Sequence, residues 1–344
     1  MEFSVQELAE RVDGRIEGDP LRRVAGLASV TSAGPQDLTY VVGTRYARFV
    51  AESRAGAILV PPDLDVETDA ATLIRVTSPE LAFSRLLEVF HPPSSPAPGV
   101  HPTAVVGRDV HLGEGTSVGP YAVIDDGAVI GPGSTIGAHV FVGRDVKLGT
   151  GVRADPGCSV FEGAVIGDRV RLHSGARISS DGFGYTIGPD GPVKIRQVGH
   201  CLLGDDVEVG CNSTIDRGSL GDTVIGRGTK IDNLVHIGHN CRIGRNCFVV
   251  AQVGIAGSTV VGDGARLGGQ VGIAGHLHIG NDASLGAQSG VMSNIPDGET
   301  WSGSPARPHR EWLRASSAFY KLPELLRRLG ALEREAENSD GDGN

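Results

Sequence analysis

The sequence predicts a mostly β protein, in which a parallel β-solenoid follows a small α/β domain and precedes a helical extension. Three observations predict this architecture. The chain has 51 glycines among 344 residues, roughly twice the usual share, and only 5% aromatic residues. An aliphatic residue recurs at every sixth position through the middle of the chain, and a proline-rich stretch precedes this repeat. We place an α/β domain with its linker at 1–98, the solenoid at 99–304, helices at 305–336 and a disordered tail at 337–344.

The first 98 residues lack the repeat and alternate between helical and strand patterns. Residues 4–7, Ser-Val-Gln-Glu, match a capping box, which predicts a helix start. Short aliphatic runs at 38–42 and 56–60 predict strands, and a second helix is predicted over 79–90. Residues 91–99 are rich in proline and serine and predict a linker.

The repeat consists of two unbroken runs of aliphatic residues spaced by six. The first has thirteen members, from Val106 to Ile178, and the second has twelve, from Ile225 to Val291. Between them the phase breaks at 180–197 and again at 215–225. Neither the helical period of 3.6 nor the strand period of two explains this spacing. We infer a chain that turns a corner every six residues, with the aliphatic side chain inward and a following glycine supplying permissive backbone. Three sides close a coil, about 4.8 Å from the next, and the region makes roughly eleven coils.

The pattern after the repeat is helical from about 310 to 334, and Pro323 predicts a division into two helices. Residues 305–334 contain seven Lys or Arg and three Glu, a net charge of +4 on a chain of net charge −10. This excess fits either a solvated helix face or a docking patch for an acidic macromolecule. The acidic residues 335–344 are typical of a disordered tail.

Composition excludes several classes of protein. No apolar run approaches the ~18 residues of a membrane span, and the first residues lack the apolar core of a signal peptide. The five cysteines form no C-x-x-C pair, which favours a reducing compartment over a disulfide scaffold or zinc ribbon. The net charge of −10 argues against broad nucleic-acid binding. We expect a cytoplasmic protein.

Residues that interrupt the repeat are the candidates for chemistry. His236 and His239 lie within the second run, and His276 follows His239 by 37 residues, or two coils and one residue. That offset places His239 and His276 ~10 Å apart along the solenoid axis, too far for a direct hydrogen bond but suited to bracketing one elongated substrate. Histidine, with an ordinary pKa near 6.5, suits a general base at neutral pH.

The six-residue repeat resembles that of the hexapeptide-repeat proteins. Their fold is a left-handed parallel β-helix, and they commonly assemble as homotrimers with sites between subunits. The resemblance therefore implies the left hand and a trimer for this chain.

Five segments in order resemble the signature of one family, the UDP-3-O-(3-hydroxyacyl)glucosamine N-acyltransferases of lipid A biosynthesis. The resemblance extends over about residues 3–330, and it is most specific in segments 180–185, 214–218, 231–240, 272–276 and 295–298. It implies transfer of a 3-hydroxyacyl group from the phosphopantetheine thioester of acyl carrier protein to the 2-amino group of a UDP-3-O-(3-hydroxyacyl)-glucosamine. No metal and no further cofactor are required.

The same resemblance implies roles for individual residues of the solenoid. His239 would be the general base, and the Gly257 N–H would stabilise the oxyanion. His276 would position the substrate or stabilise charge, while Asp232 and Asn233 would bind the glucosamine or orient His239.

Further contacts are implied outside the solenoid. Tyr40 and Tyr46 would hold the uracil by stacking, in a segment where the family often has Asn at the position of Gly43. Acyl carrier protein is strongly acidic and would dock on basic residues after the repeat: Arg307, Arg310, Arg314, Lys321, Arg327 and Arg328. The region near Gly290 and Met292 would help to set the acyl-chain length.

Three alternatives are considered. A related hexapeptide enzyme that O-acylates or N-acetylates a sugar nucleotide is disfavoured by the N-terminal domain and by segment 180–185. A zinc site of the carbonic-anhydrase type would use His236, His239 and His276, and is disfavoured because His236 and His239 fall on opposite sides of a corner. A purely structural prism predicts regular Thr ladders, which the His- and Asp-bearing coils do not show.

Overall fold

The computed structural model describes residues 1–66, 68, 71–92 and 96–341. It divides into two compact units, Met1–Ser95 and Pro96–Asn344, and each has its own hydrophobic core. Part of the predicted linker, residues 93–95, lies outside the described residues.

The N-terminal unit is built on a five-stranded sheet in the order β2-β7-β6-β5-β4, and β1 pairs separately with β3. Neighbouring strands from β4 to β7 are parallel, while β2 is antiparallel to β7. The strands are β1 (Phe3–Ser4), β2 (Arg15–Glu17), β3 (Arg23–Val24), β4 (Gly26–Leu27), β5 (Asp37–Tyr40), β6 (Ala57–Val60) and β7 (Thr72–Arg75).

Three helices complete this unit: α1 (Val5–Arg11), α2 (Thr44–Glu52) and α3 (Pro79–Phe90). The capping box is present at α1, where the Glu7 N–H donates to Ser4 Oγ at 3.2 Å and the Ser4 N–H donates to the Glu7 carboxylate at 2.6 Å. The predicted bounds of α3 coincide with the observed ones. Helix α2 was not predicted from the sequence.

The C-terminal unit is a parallel β-helix with three faces, as the fold class predicts. Face 1 consists of Gly99–Val100, Ser117–Val118, Thr135–Ile136, Arg153–Ala154, Arg171–Leu172, Glu208–Val209, Lys230–Ile231, Phe248–Val249, Arg266–Leu267, Ser284–Leu285, Thr300–Ser302 and the antiparallel Arg307–Pro308. Face 2 consists of Val105–Val106, Val123–Ile124, Phe141–Val142, Ser159–Val160, Arg177–Ser180, Thr214–Asp216, His236–Ile237, Gly254–Ile255, Gly272–Ile273 and Gly290–Val291. Face 3 consists of His111–Leu112, Val129–Ile130, Lys147–Leu148, Val165–Ile166, Cys201–Leu203, Thr223–Ile225, Arg242–Ile243, Val260–Val261 and His278–Ile279.

The core of the β-helix is a column of the aliphatic residues that define the repeat. Ile130 and Ile237 are both fully buried, whereas the preceding residue of each strand, Val129 or His236, points outward. Burying one such aliphatic side chain contributes about 1.5–3 kcal/mol. Because each of the three faces adds one buried aliphatic residue per coil, these core residues recur at every sixth position of the sequence.

The role of the repeat glycines differs from the prediction. Gly131, directly after the buried Ile130, does not adopt a left-handed backbone. It is needed for space, since a methyl group there would lie 2.4 Å from the Gly149 carbonyl oxygen of the next coil. The left-handed residue comes two positions later in the turn, as at Gly133 (φ +66°) or Asn246 (φ +54°).

The interruption at 180–197 contains a hairpin of two antiparallel strands, Tyr185–Gly188 and Gly191–Lys194.

The prediction of two C-terminal helices is wrong, because one helix, α4, runs through Pro323 from His309 to Gly341. The proline removes one backbone donor without ending the helix. The predicted disordered tail is helical as far as Gly341, since an acidic composition opposes core formation but not local backbone hydrogen bonds; residues 342–344 lie outside the described residues. Among the described helices, none is both long and apolar enough to span a membrane.

Candidate active site

His239 lies at the corner that follows strand His236–Ile237, between faces 2 and 3. Its Nδ1 lies 3.0 Å from Asn240 Oδ1. The amide of Asn240 is itself held, because the Ser219 N–H donates to Oδ1 at 3.0 Å and Nδ2 donates to the Gly221 carbonyl at 3.2 Å. An amide oxygen only accepts hydrogen bonds, so this arrangement places the His239 proton on Nδ1 and leaves the lone pair on Nε2.

The free ring nitrogen of His239 faces Gly257 in the next coil. A methyl group at Gly257 would lie 2.7 Å from Nε2. At the same position of another turn, Asp263 Oδ1 accepts from the Arg245 N–H one coil away, at 2.7 Å. The residue one coil beyond Gly257 is Gly275, which has no side chain, and within the described part of the chain no acceptor is paired with the Gly257 N–H. A backbone N–H without an acceptor and an imidazole nitrogen therefore belong to neighbouring coils at one corner.

A cavity of about 570 Å³ opens over face 2 beside these two residues. Its floor contains three glycines in register on successive strands: Gly254, Gly272 and Gly290. Phe183 and Met292 also line it, and both are exposed. The absence of side chains along the floor leaves an apolar trough that starts near His239.

The same cavity contains an acidic residue and a second histidine that the sequence did not single out together. The side chain of Asp216 is only 8% exposed, and its Oδ2 lies 3.7 Å from His236 Nε2. Ser180 Oγ donates to Asp216 Oδ1 at 3.1 Å. Burial raises the pKa of the Asp216 carboxyl, and the neighbouring His236 opposes this effect.

The predicted separation of His236 and His239 by a corner is wrong, because both line this one cavity. The outward residue of this face 2 strand and the second residue after the strand open on the same side. His276 is exposed and is not part of the cavity lining; its N–H donates to the Gly257 carbonyl at 3.1 Å. Among the described residues, no group of three His, Cys, Asp or Glu is arranged to hold a metal ion.

Asp232 and Asn233 do not orient His239 within one chain, contrary to that part of the prediction. They lie at the corner between faces 1 and 2, with strand His236–Ile237 separating them from His239. Asn233 Oδ1 accepts from the Cys211 N–H at 2.7 Å, and Asp232 Oδ2 accepts from the Ala251 N–H at 3.1 Å. Both line a different cavity, of about 500 Å³.

Tyr40 and Tyr46 line one cavity of about 250 Å³ in the N-terminal unit. The Tyr40 ring packs on Phe83 with centroids 4.7 Å apart, while Tyr46 on α2 is 40% exposed. Gly43 is the N-cap of α2, and a methyl group there would meet nothing within 4 Å. The cavity lies at the carboxyl end of β5, where ligands of parallel α/β sheets commonly bind.

The six basic residues predicted to dock a carrier protein are all exposed. One lies in a face 1 strand and five lie on α4: Arg307, then Arg310, Arg314, Lys321, Arg327 and Arg328. Apolar side chains of α4 are exposed beside them, including Phe319 and Leu326.

Two residues of the site were missed by sequence reasoning. Asn240 directly follows His239, and this His-Asn pair was the available signal. Asp216 stands inside segment 214–218, but only the coil register shows that it reaches His236.

Comparison with known proteins gives consistent matches. Residues 22–89 match the family model of UDP-3-O-(3-hydroxymyristoyl) glucosamine N-acyltransferase, and residues 109–144 and 222–257 match the bacterial transferase hexapeptide model. The UDP-3-O-acylglucosamine N-acyltransferase of Anaeromyxobacter dehalogenans is 40% identical over 99% of this chain and 98% of its own length. The enzyme of that name from Coxiella burnetii is 37% identical over 96% and 97%. The Arabidopsis UDP-N-acetylglucosamine acyltransferase structure is 26% identical with a TM-score of 0.46, covering 63% of this chain and 77% of its own.

Proposed function

Because this chain belongs to the UDP-3-O-acylglucosamine N-acyltransferase family, we propose that it moves a 3-hydroxyacyl chain from acyl carrier protein to the 2-amino group of UDP-3-O-(3-hydroxyacyl)-glucosamine. The donor carries its acyl group as a thioester of 4′-phosphopantetheine, and the product is an amide. The reaction belongs to lipid A biosynthesis.

The observation that carries this proposal is the pairing of His239 with Gly257. His239 Nδ1 is held by Asn240, so Nε2 is free to take a proton from an attacking amine. A positioned general base of this kind contributes about 10²–10⁴ in rate. Gly257 lies beside the same nitrogen, and its N–H, which has no acceptor among the described residues, suits a developing oxyanion.

The chemical step follows from that geometry. The amine nitrogen bonds to the thioester carbonyl carbon, and the carbonyl electron pair moves onto oxygen, which the Gly257 N–H stabilises. His239 takes the N–H proton. The intermediate then collapses, the C–S bond breaks with its electron pair on sulfur, and His239 returns the proton to give a thiol. His276 is assigned to positioning the substrate or stabilising charge, and its backbone N–H donates to the Gly257 carbonyl at 3.1 Å.

The glycine trough on face 2 is suited to the acyl chain of the donor. Gly254, Gly272 and Gly290 leave an apolar channel, and Met292, which directly follows the last of these strands, also lines it. An acyl chain with polar groups only at its thioester end loses few hydrogen bonds to water when its apolar part enters such a channel. Chain length is then limited by the distance from His239 to Met292.

Substrate contacts outside this cavity are assigned by chemistry. Tyr40 and Tyr46 offer two aromatic rings in one cavity, as stacking on a uracil requires. Asp232 and Asn233 are exposed on another corner, so a role in binding the glucosamine at a site with His239 requires a neighbouring subunit. We therefore expect a homotrimer whose sites lie between chains, with a solution mass three times 35.7 kDa.

The donor protein is assigned to the basic residues of α4. Arg310, Arg314 and Lys321 are exposed cations on one helix of a chain whose net charge is −10. Complementary charge steers association with an acidic partner and falls with salt.

Acyl transfer can be measured directly. Purified protein is incubated with UDP-3-O-(3-hydroxyacyl)-glucosamine and either the carrier-protein thioester or the coenzyme A thioester, and products are analysed by mass spectrometry. We expect the N-acylated product, formed faster from the carrier protein. Equal rates from both thioesters would contradict the assigned donor, and no product from either would contradict the proposed reaction.

A further inference from the structure

The cavity beside His239 contains a second ionisable pair, Asp216 and His236, that general-base catalysis by His239 leaves without a role. Asp216 Oδ2 lies 3.7 Å from His236 Nε2, and the Asp216 side chain is 8% exposed. Among the described residues, His236 is its one ion-pair partner, and no Lys or Arg pairs with it. A buried carboxylate without a fixed cation is costly. The cavity therefore presents a negative group to whatever enters it.

The acceptor assigned under the proposed function, on which this inference rests, carries such a cation. A sugar amine beside electron-withdrawing carbons has a pKa of about 8, like an α-amino group, and at pH 7 it is mostly ammonium. An ammonium has no lone pair and cannot attack a thioester. It must lose two protons before it becomes a neutral amide, whereas His239 accounts for one.

We propose that Asp216 binds the 2-ammonium group of the acceptor sugar and that the Asp216–His236 pair takes its first proton. One N–H bond breaks, its electron pair remains on nitrogen, and the proton bonds to His236 Nε2. The imidazolium so formed has the Asp216 carboxylate as an ion-pair partner, 3.7 Å from Nε2, and Thr214 Oγ1 as a hydrogen-bond acceptor, 2.9 Å from Nδ1. The His236 side chain is 52% exposed, so the proton passes on to water.

The neutral amine then reacts as described above. Its second proton moves to His239 Nε2 and from there to the leaving sulfur. One proton is thus released to solvent and one ends on the thiol for each amide formed. Asp216 and His239 have separate tasks, because Asp216 binds the ammonium form of the amine and His239 takes a proton from the amine as it attacks.

The position of Asp216 suits this task. It ends strand Thr214–Asp216, one coil before Gly238, and Ser180 Oγ holds its other oxygen at 3.1 Å. The remaining charged or titratable groups around it are Asp181, His239 and the buried thiols of Cys201 and Cys241. Of these, Asp181 pairs with Lys194. Arg217 donates to the Glu162 carbonyl rather than to this carboxylate.

The test is the pH dependence of Asp216→Asn, which keeps the shape and the hydrogen bond from Ser180. kcat/KM for the acceptor is measured from about pH 6 to 9, a range that spans the amine pKa. We expect a loss of about 10²-fold near pH 6.5, as for removal of an acid–base group, shrinking as the substrate itself becomes neutral. A merely structural role would give the same loss at every pH.

His236→Gln provides a second variant, which should show the same trend, with circular dichroism confirming the fold of each. Asp126→Asn is the matched control, because Asp126 is a corner carboxylate bonded to Arg108 and lies outside the cavity. With an active wild type, an unchanged profile or a pH-independent loss in both cavity variants overturns this inference alone. No transfer by the wild type at any pH overturns the proposed function and this inference with it.

Discussion

Two glycines, Gly257 and Gly275, shape the corner that contains His239. Gly257 leaves room for His239 Nε2. Gly275, the equivalent residue one coil away, has no side chain to accept a hydrogen bond from the Gly257 N–H. Elsewhere in the β-helix, as at Arg245, an Asp from the adjacent coil takes that N–H. The proposed catalytic corner is thus defined by two missing side chains as much as by His239.

Gly257→Ala tests this arrangement. The new methyl group would lie 2.7 Å from His239 Nε2 and would displace the imidazole ring. We expect kcat to fall about 10²-fold, comparable to the loss of one oxyanion donor, with little change in thermal stability. Gly330→Ala on α4, where a methyl group meets nothing within 4 Å, is the matched control and should retain full activity.

Asn240→Asp tests the orientation of His239. An aspartate keeps the acceptor for Nδ1 but adds a negative charge at 3.0 Å, which favours the protonated imidazole. The rising limb of the rate against pH should therefore move to higher pH, because the base must be unprotonated to act. An unshifted limb would show that Asn240 does not contact the catalytic base.

At the scale of single elements, the repeat turn divides its requirements between two positions. Where the first residue after the strand lies against the backbone of the next coil, as Gly131 does, it must lack a side chain, and the third residue must tolerate a left-handed backbone. Glycine meets both needs, so counting glycines cannot distinguish them. The coil spacing shows that Gly131 is required by the backbone of the next coil, whereas Gly133 has open space around it.

Two substitutions in this turn should differ in stability. Gly131→Ala places a methyl group 2.4 Å from the Gly149 carbonyl oxygen and should lower the free energy of unfolding by about 1–3 kcal/mol. Gly133→Asn should be neutral or slightly stabilising, because Asn tolerates the left-handed region and Asn246 already adopts it. Denaturant unfolding of both variants checks this, and equal destabilisation would contradict it.

Helix α4 exposes positive charge at Arg310, Arg314 and Lys321. Charge reversal of Arg310, Arg314 and Lys321 to glutamate should raise KM for the carrier-protein thioester and leave kcat nearly unchanged. A small pantetheine thioester is the control, since it lacks the acidic protein surface and its kinetics should not respond. An unchanged KM for the carrier protein would remove α4 from donor recognition.

At the scale of the whole molecule, the β-helix was predictable because its core repeats with a strict period. Thirteen and twelve aliphatic residues in phase leave few other folds, and α3 was equally clear from its own pattern. The helical part of the acidic tail was predicted to be disordered, because composition describes burial and not local helix formation. Pro323 was misjudged because a proline weakens a helix without having to end it.

The candidate active site was only partly predictable, for a geometric reason. His239 stands in a recognisable segment, but its partners depend on coil register. Asp216 precedes His236 by one coil that contains an extra loop, so their sequence separation does not reveal their contact. Asp232 is close to His239 in sequence, yet a strand places them at different corners.

The central claim is that His239 is the base of an N-acyl transfer, and single-turnover amide formation with the wild type and His239→Ala tests it most directly. His111→Ala, an exposed histidine on face 3, is the control. We predict a loss of about 10²-fold or more for His239→Ala, with acceptor binding retained and His111→Ala fully active. Amide formation at the wild-type rate by His239→Ala would contradict the claim.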